Sequence, residues 1–173
     1  MNYLKKMSVA SMNVIPKNYK KKHADGGMEH GEIRSLFDVF GIADGIETGS
    51  TSMGEWTAFT GSFKAVSCHA DADGIFQEYR GKKLFLPDVA TDAISDALNS
   101  AEGGKVEFAL QIGMKRVIKL NPQGEETGAG YEYTMKPLIE IDASADPLAH
   151  LENKVKSLPA PSKTISNKAE KTK

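Results

Sequence analysis

The stretch IFQEYRGKKLFLPDVATDAISDALNSAEGGKVEFALQIGM, residues 75–114, decides the architecture. It ends on the plainest signal in the chain. Val106, Phe108, Leu110, Ile112 and Met114 are apolar at every second position, the period of a strand with one buried face. Upstream, Val89, Ala90, Ala93, Ile94, Ala97, Leu98 and Ala101 recur at three- and four-residue spacing, which predicts a helix. Pro87 stops the preceding element, Asp88 is placed to cap the helix, and Gly103-Gly104 is placed to end it. Ile75–Leu86 reads as a strand with two mixed faces. Phe76, Leu84 and Leu86 share one parity, and Ile75, Gln77, Tyr79, Lys83 and Phe85 the other. A bulge near Gly81 that exchanges the faces would account for this.

Outward from this unit the pattern continues. In Glu55–Val66, Thr57, Phe59, Gly61, Phe63 and Ala65 form one face, and Trp56, Ala58, Thr60, Ser62 and Lys64 the other. Gly31–Thr48 is strand-like but ambiguous, because Ile33, Leu36, Phe37 and Phe40 also fit helical spacing. Gly41, Asp44-Gly45 and Gly49 argue against a long helix there. Tyr131, Tyr133, Met135, Pro137, Ile139 and Ile141 alternate again; the two tyrosines read as core, and Pro137 marks an edge or a strand end. Asp146 and Pro147 open a final helix lined by Leu148, Leu151, Val155 and Leu158. TGSTSMG (48–54) and Asn121–Gly130 read as the loops between strands one and two and between strands four and five.

Three strands, a helix, two strands and a terminal helix is the order of an OB-fold. The expectation is an all-β domain with helices: a five-stranded Greek-key barrel, its helix between strands three and four, plus a C-terminal helix. An α+β sheet with the helix on one face is the alternative. The division expected is a flexible basic arm over 1–30, the OB domain over 31–145, the helix over 146–158 and a disordered basic tail over 159–173.

At 173 residues the chain is about one domain long, with 40% hydrophobic residues and a net charge of −1. That charge is unevenly spread. Lys/Arg outnumber Asp/Glu seven to four over 1–40 and six to two over 151–173, but are outnumbered nine to seventeen over 41–150. Within the acidic middle, Lys64, Arg80, Lys82, Lys83, Lys115, Arg116 and Lys119 fall on predicted strands, whereas most carboxylates fall in loops and the helix. A small net charge therefore does not exclude a nucleic-acid partner. No apolar run approaches the roughly 20 residues of a membrane span, and MSVASMNVI near the start is too polar for a signal peptide. A cytoplasmic protein without a membrane partner is expected.

Catalytic patterns are missing from the sequence. GxxxxGK[ST], HExxH, CxxC and GxSxG do not occur. His69, Asp71, Asp73 and Gly74 faintly resemble a calcium loop, but Arg80 stands where the bidentate Glu belongs, so a hairpin turn is the better reading. His23 and His30 read as solvated linker residues. Cys68, the one cysteine, lacks an orienting group that would make it a nucleophile. Neither an enzyme nor a metal or cofactor site is expected.

Single-stranded nucleic acid is held by aromatic platforms and basic side chains. Trp56 and Tyr79 are the candidate platforms, with Trp56 alternatively lidding one end of the barrel. Lys64, Arg80, Lys82, Lys83, Lys115 and Arg116 are the candidate phosphate contacts. The runs GIADGIETGSTSMGEWTAFTGSFKAV (41–66), KLFLPDVATDAISDAL (83–98), VEFALQIGMK (106–115) and GYEYTMKPLIE (130–140) resemble a family of bacteriophage single-stranded DNA-binding proteins with an OB-fold. The resemblance spans about 31–155. It implies sequence-tolerant coating of single-stranded DNA in phage replication or recombination, without catalysis or cofactor, and with replication or recombination proteins as partners. Separately, Leu148, Leu151, Val155 and Leu158 of the final helix could pair two copies in a homodimer. Where such proteins often end in an acidic recruiting tail, this chain ends in KAEKTK. The competing readings are a protein-interaction module, an RNA-binding domain and an enzyme.

Overall fold

The computed structural model describes residues 3–15, Tyr19 and residues 27–141. The elements are strands β1 (Tyr3–Ser8), β2 (Met12–Asn13), β3 (Ile33–Thr51), β4 (Gly54–Ser67) and β5 (Ile75–Phe85), helix α1 (Asp88–Ser100), and strands β6 (Val106–Leu120) and β7 (Glu126–Pro137). One sheet runs in the order β1-β5-β4-β3-β6-β7, with β2 also on β5. The fold is mostly β and OB-like. β3 pairs antiparallel with both β4 and β6, β4 with β5, and β6 with β7. The sheet is open, because β5 does not pair with β7 among the described residues.

The far edge of β5 is taken by β1 and β2, both parallel to it. Tyr3–Ser8 and Met12–Asn13 are thus paired strands, where the sequence suggested part of a loose arm. Met12 and Val14 are each only 2% exposed and sit in the main core. Their apolar burial outweighs the polar character that the lysines give the segment. Gly81 makes room for this docking. A Cβ there would stand 2.9 Å from both the Met12 side chain and the Val9 carbonyl oxygen. The final helix and the basic tail lie outside the described residues.

The strand periods produce the core directly. Val106, Phe108, Leu110 and Ile112 of β6 are buried with Phe59, Phe63 and Ala65 of β4 and Val39 and Ala43 of β3, while Met114 is buried in a second cluster with Tyr19, Met28 and Leu36. α1 closes this core with Ala90, Ile94 and Leu98, one residue per turn, while Val89 is exposed. Asp88 does not cap. Pro87 occupies the cap position without a side-chain bond, and Asp88 lies in the first turn, where a carboxylate complements the helix dipole. Thr91 Oγ1 donates to the Leu86 and Pro87 carbonyls instead.

Both long hairpins are tighter than expected. Thr51 pairs with Gly54, which leaves a two-residue turn at Ser52-Met53. β7 begins at Glu126 because Asn121 Oδ1 accepts the backbone N–H of Gln123 and of Glu125 and closes the turn. At its other end β7 stops at Pro137 rather than running on to Ile141. β3 carries irregularities at Ser35/Phe37 and Ala43/Gly45. A further one, where Gly61 and Ser62 oppose the single residue Lys82, adjoins the Phe63–Gly81 pair. There Gly61 has φ +148°, a conformation suited to glycine. The exchange of faces expected near Gly81 is thus produced by the strand beside it.

Candidate nucleic-acid interface

The register places one row of residues across the sheet. Ser8 of β1 is opposite Arg80 of β5, Arg80 opposite Lys64 of β4, Lys64 opposite Phe40 of β3, and Phe40 opposite Ala109 of β6. Directly opposed residues project to the same face. With strands about 4.8 Å apart, the row is about 19 Å long. It forms the floor of a groove of about 660 Å³ lined by Ser8, Phe40, Ser62, Lys64, Arg80 and Lys82, among others. A smaller depression of about 310 Å³ shares Phe40, Gly41 and Ser62 with it and continues over Ala109 to Ile139. The groove therefore crosses the strands from one side of the sheet to the other.

Three cations serve this groove. Lys64 Nζ lies 4.9 Å from the Phe40 ring centroid, a cation–π distance. Lys82 Nζ donates to Ser62 Oγ at 2.6 Å. Arg80 Nε donates to Glu78 Oε1 at 2.8 Å, yet the Arg80 side chain is 60% exposed. The Arg80 hydrogen bond holds the Glu78 carboxyl below its usual value. Burial opposes this shift, while the charges of Arg80, Lys6 and Lys64 reinforce it. Phe40, half-buried beneath Lys64, is the aromatic surface of the groove.

Trp56 belongs to a second cluster. Its ring lies 5.7 Å from Phe85, and Lys83 Nζ sits 4.8 Å above it. Lys83 also bonds Glu47 Oε2. The indole covers Gly49, its partner across the β3–β4 hairpin, where a Cβ would collide with it. Trp56 is eight residues from Lys64, up to about 27 Å along the strand. Lys82 and Lys83, adjacent in sequence, serve one cluster each.

The other sequence candidates lie elsewhere. Tyr79 is opposite Ala65, on the face away from Arg80. It packs against Phe37 at 6.4 Å and the main core, and its hydroxyl bonds Gln77 Oε1. Burial raises its pKa. Lys115 is opposite Ile33 and Glu132, six residues from Ala109, about 20 Å along β6. Arg116 Nη1 donates to the Met28 carbonyl at 2.6 Å and ties residues 28–32 to β6. Tyr131, read as core, is 41% exposed and stacks on Tyr19. The sequence reading missed Phe40. Its outward position follows from being opposite Lys64, a pairing that only the three-dimensional register supplies.

The remaining chemistry candidates have structural uses. Asp71 Oδ1 accepts the N–H of Asp73 and of Ile75, which closes the turn and holds its pKa below the usual value. Cys68 is pushed up to about 12, first by burial and then by the Asp38 carboxylate, so it is a thiol at neutral pH. No group of three or more metal-ligating side chains occurs among the described residues. No described helix is long and apolar enough to cross a membrane.

Comparison with known proteins gives one clear relative. The chain is 31% identical over 162 residues to the single-stranded DNA-binding protein of Enterobacteria phage PRD1, covering 93% of this chain and 86% of that protein. No family model and no solved structure matches. This chain belongs to the family of bacteriophage single-stranded DNA-binding proteins.

Proposed function

We propose that this chain binds single-stranded DNA without sequence preference and coats it during phage replication or recombination. The observation that carries this reading is the row Arg80–Lys64–Phe40, with Lys82 beside it, in a groove that crosses the sheet. Lys64, Arg80 and Lys82 hold backbone phosphates, and a base lies on Phe40. The relative's function supports the same partner. Trp56 and Lys83 offer a second contact, displaced along β4 from the groove. The order of β3 to β7 supports an OB Greek key whose seam, between β5 and β7, is filled at β5 by the N-terminal strand.

The chain has one tryptophan, so titration with poly(dT) at low salt can be followed through Trp56 fluorescence and in parallel by gel shift. Quenching and retardation that weaken as salt rises are expected. Absence of both at low salt overturns the reading. Competition with RNA of the same sequence separates the DNA reading from an RNA-binding one.

A further inference from the structure

Among the described residues the sheet ends in β1 on one side and β7 on the other. Among those residues β1 pairs with β5 alone and β7 with β6 alone. One parallel and four antiparallel pairings separate them, so β1 and β7 run in the same direction. Their exposed charges are opposite. β1 carries Lys5 and Lys6, and β7 carries Glu126 and Glu132, preceded by the exposed Glu125. Lys136, near the end of β7, is the exception. The groove runs from Ser8 on β1 to Ile139, just past β7.

We propose that a second copy of this chain adds its β1 edge to the β7 edge of the first, in the same orientation, so that sheet and groove continue from copy to copy along one DNA strand. The proposal rests on the single-stranded DNA reading above. Two arguments select this contact over a symmetric dimer. Like edges bring like charges together, lysines against lysines or glutamates against glutamates, and only the unlike pair attracts. A single DNA strand also has a direction, so identical grooves that it crosses in turn must point the same way. A two-fold axis reverses one groove. A head-to-tail contact does not, and repeating it gives an open filament. Six residues of β1 in a parallel pairing make a weak contact, which suits copies already held close together by the DNA.

The test uses the full-length chain and two lengths of oligo(dT), one that seats a single copy and one that seats many. Lys5 is chosen because Lys6 stands beside Glu78, on the groove face. K5E should leave affinity for the short oligomer within about twofold, and lower affinity per site on the long one about fivefold. E126K/E132K should do the same, and the combined K5E/E126K/E132K chain should recover the long-strand affinity. Thermal melts show whether each variant is folded. Equal losses on both lengths mean that Lys5 touches DNA, and overturn the proposal. So does unchanged long-strand binding, or failure of the combined chain to recover. If the wild-type chain binds neither length, the DNA reading falls instead. Light scattering of concentrated protein without DNA then decides the edge contact, by whether K5E abolishes self-association and the combined chain restores it.

Discussion

Replacing Lys64 and Lys82 by glutamine removes two of the three groove cations and leaves the Arg80–Glu78 pair intact. Each phosphate neutralised on a single strand contributes about −0.7 to the slope of log affinity against log salt. Three groove cations therefore give a slope of about −2.1, and K64Q/K82Q should reduce its magnitude by about 1.4. Between 50 and 200 mM salt, three contacts amount to about an 18-fold loss of affinity and one contact to about 2.6-fold. The double variant should thus resist this change of salt about sevenfold better than the wild type, while binding more weakly at low salt. Adding R80Q should remove the remaining increment. The assay is a set of Trp56 fluorescence titrations with oligo(dT) at four or five salt concentrations. Trp56 lies outside the groove cluster, so its signal at saturation should persist. A slope unchanged in K64Q/K82Q, with the fold intact by circular dichroism, refutes the assignment of phosphates to the groove.

Other consequences can be checked separately. Phe40→Ala should weaken oligo(dT) binding by about 1–3 kcal/mol if a base stacks there, with the salt slope unchanged; Tyr79→Phe, on the opposite face, should leave binding unaltered in the same titration. Gly81→Val should drive a side chain into Met12 and the Val9 carbonyl and destabilise the chain by about 1–3 kcal/mol, read by urea denaturation together with faster proteolysis at Lys5 and Lys6. Glu78 has a lowered pKa. Its ionised form therefore stabilises the fold above the ordinary carboxylate value of 4.5, and this contribution is lost as pH falls through the depressed one; E78Q should flatten that part of an acid denaturation curve and, by releasing Arg80, tighten DNA binding a few-fold at low salt. Cys68, raised to about 12, is protonated below that value in the folded chain but titrates near 9 when unfolded. Stability should fall as pH rises between those values, and alkylation at pH 8 should be at least about tenfold slower in the folded chain than in urea.

The legible parts of the fold were those governed by one regular period. β4, α1 and the buried half of β6 follow from alternation or helical spacing alone. β3 was obscured by its own bulges. Leu36 is the extra residue at the Ser35/Phe37 irregularity, so the buried positions Leu36 and Val39 are three apart. Asp44 is likewise the extra residue at the Ala43/Gly45 irregularity. A bulged strand thus imitates a helix in sequence, and Phe40 was drawn into that false pattern. Tyr79 was misplaced for another reason. Its inward orientation follows from being opposite Ala65, a long-range register that strand periodicity does not contain. The N-terminal strand was hidden because Lys5 and Lys6 dominate its composition, while its anchoring residues, Met12 and Val14, lie beyond it.

The pairing of Tyr3 with Ile75 also orders the birth of the protein. β1 has no place to dock until β5, some seventy residues later in the chain, has been made. The hairpins β3–β4 and β6–β7, whose partners are close in sequence, can form before the β1 edge is added. Contacts of such long sequence separation slow folding. Through that interval the lysines of β1 keep the waiting strand hydrated and away from other nascent chains.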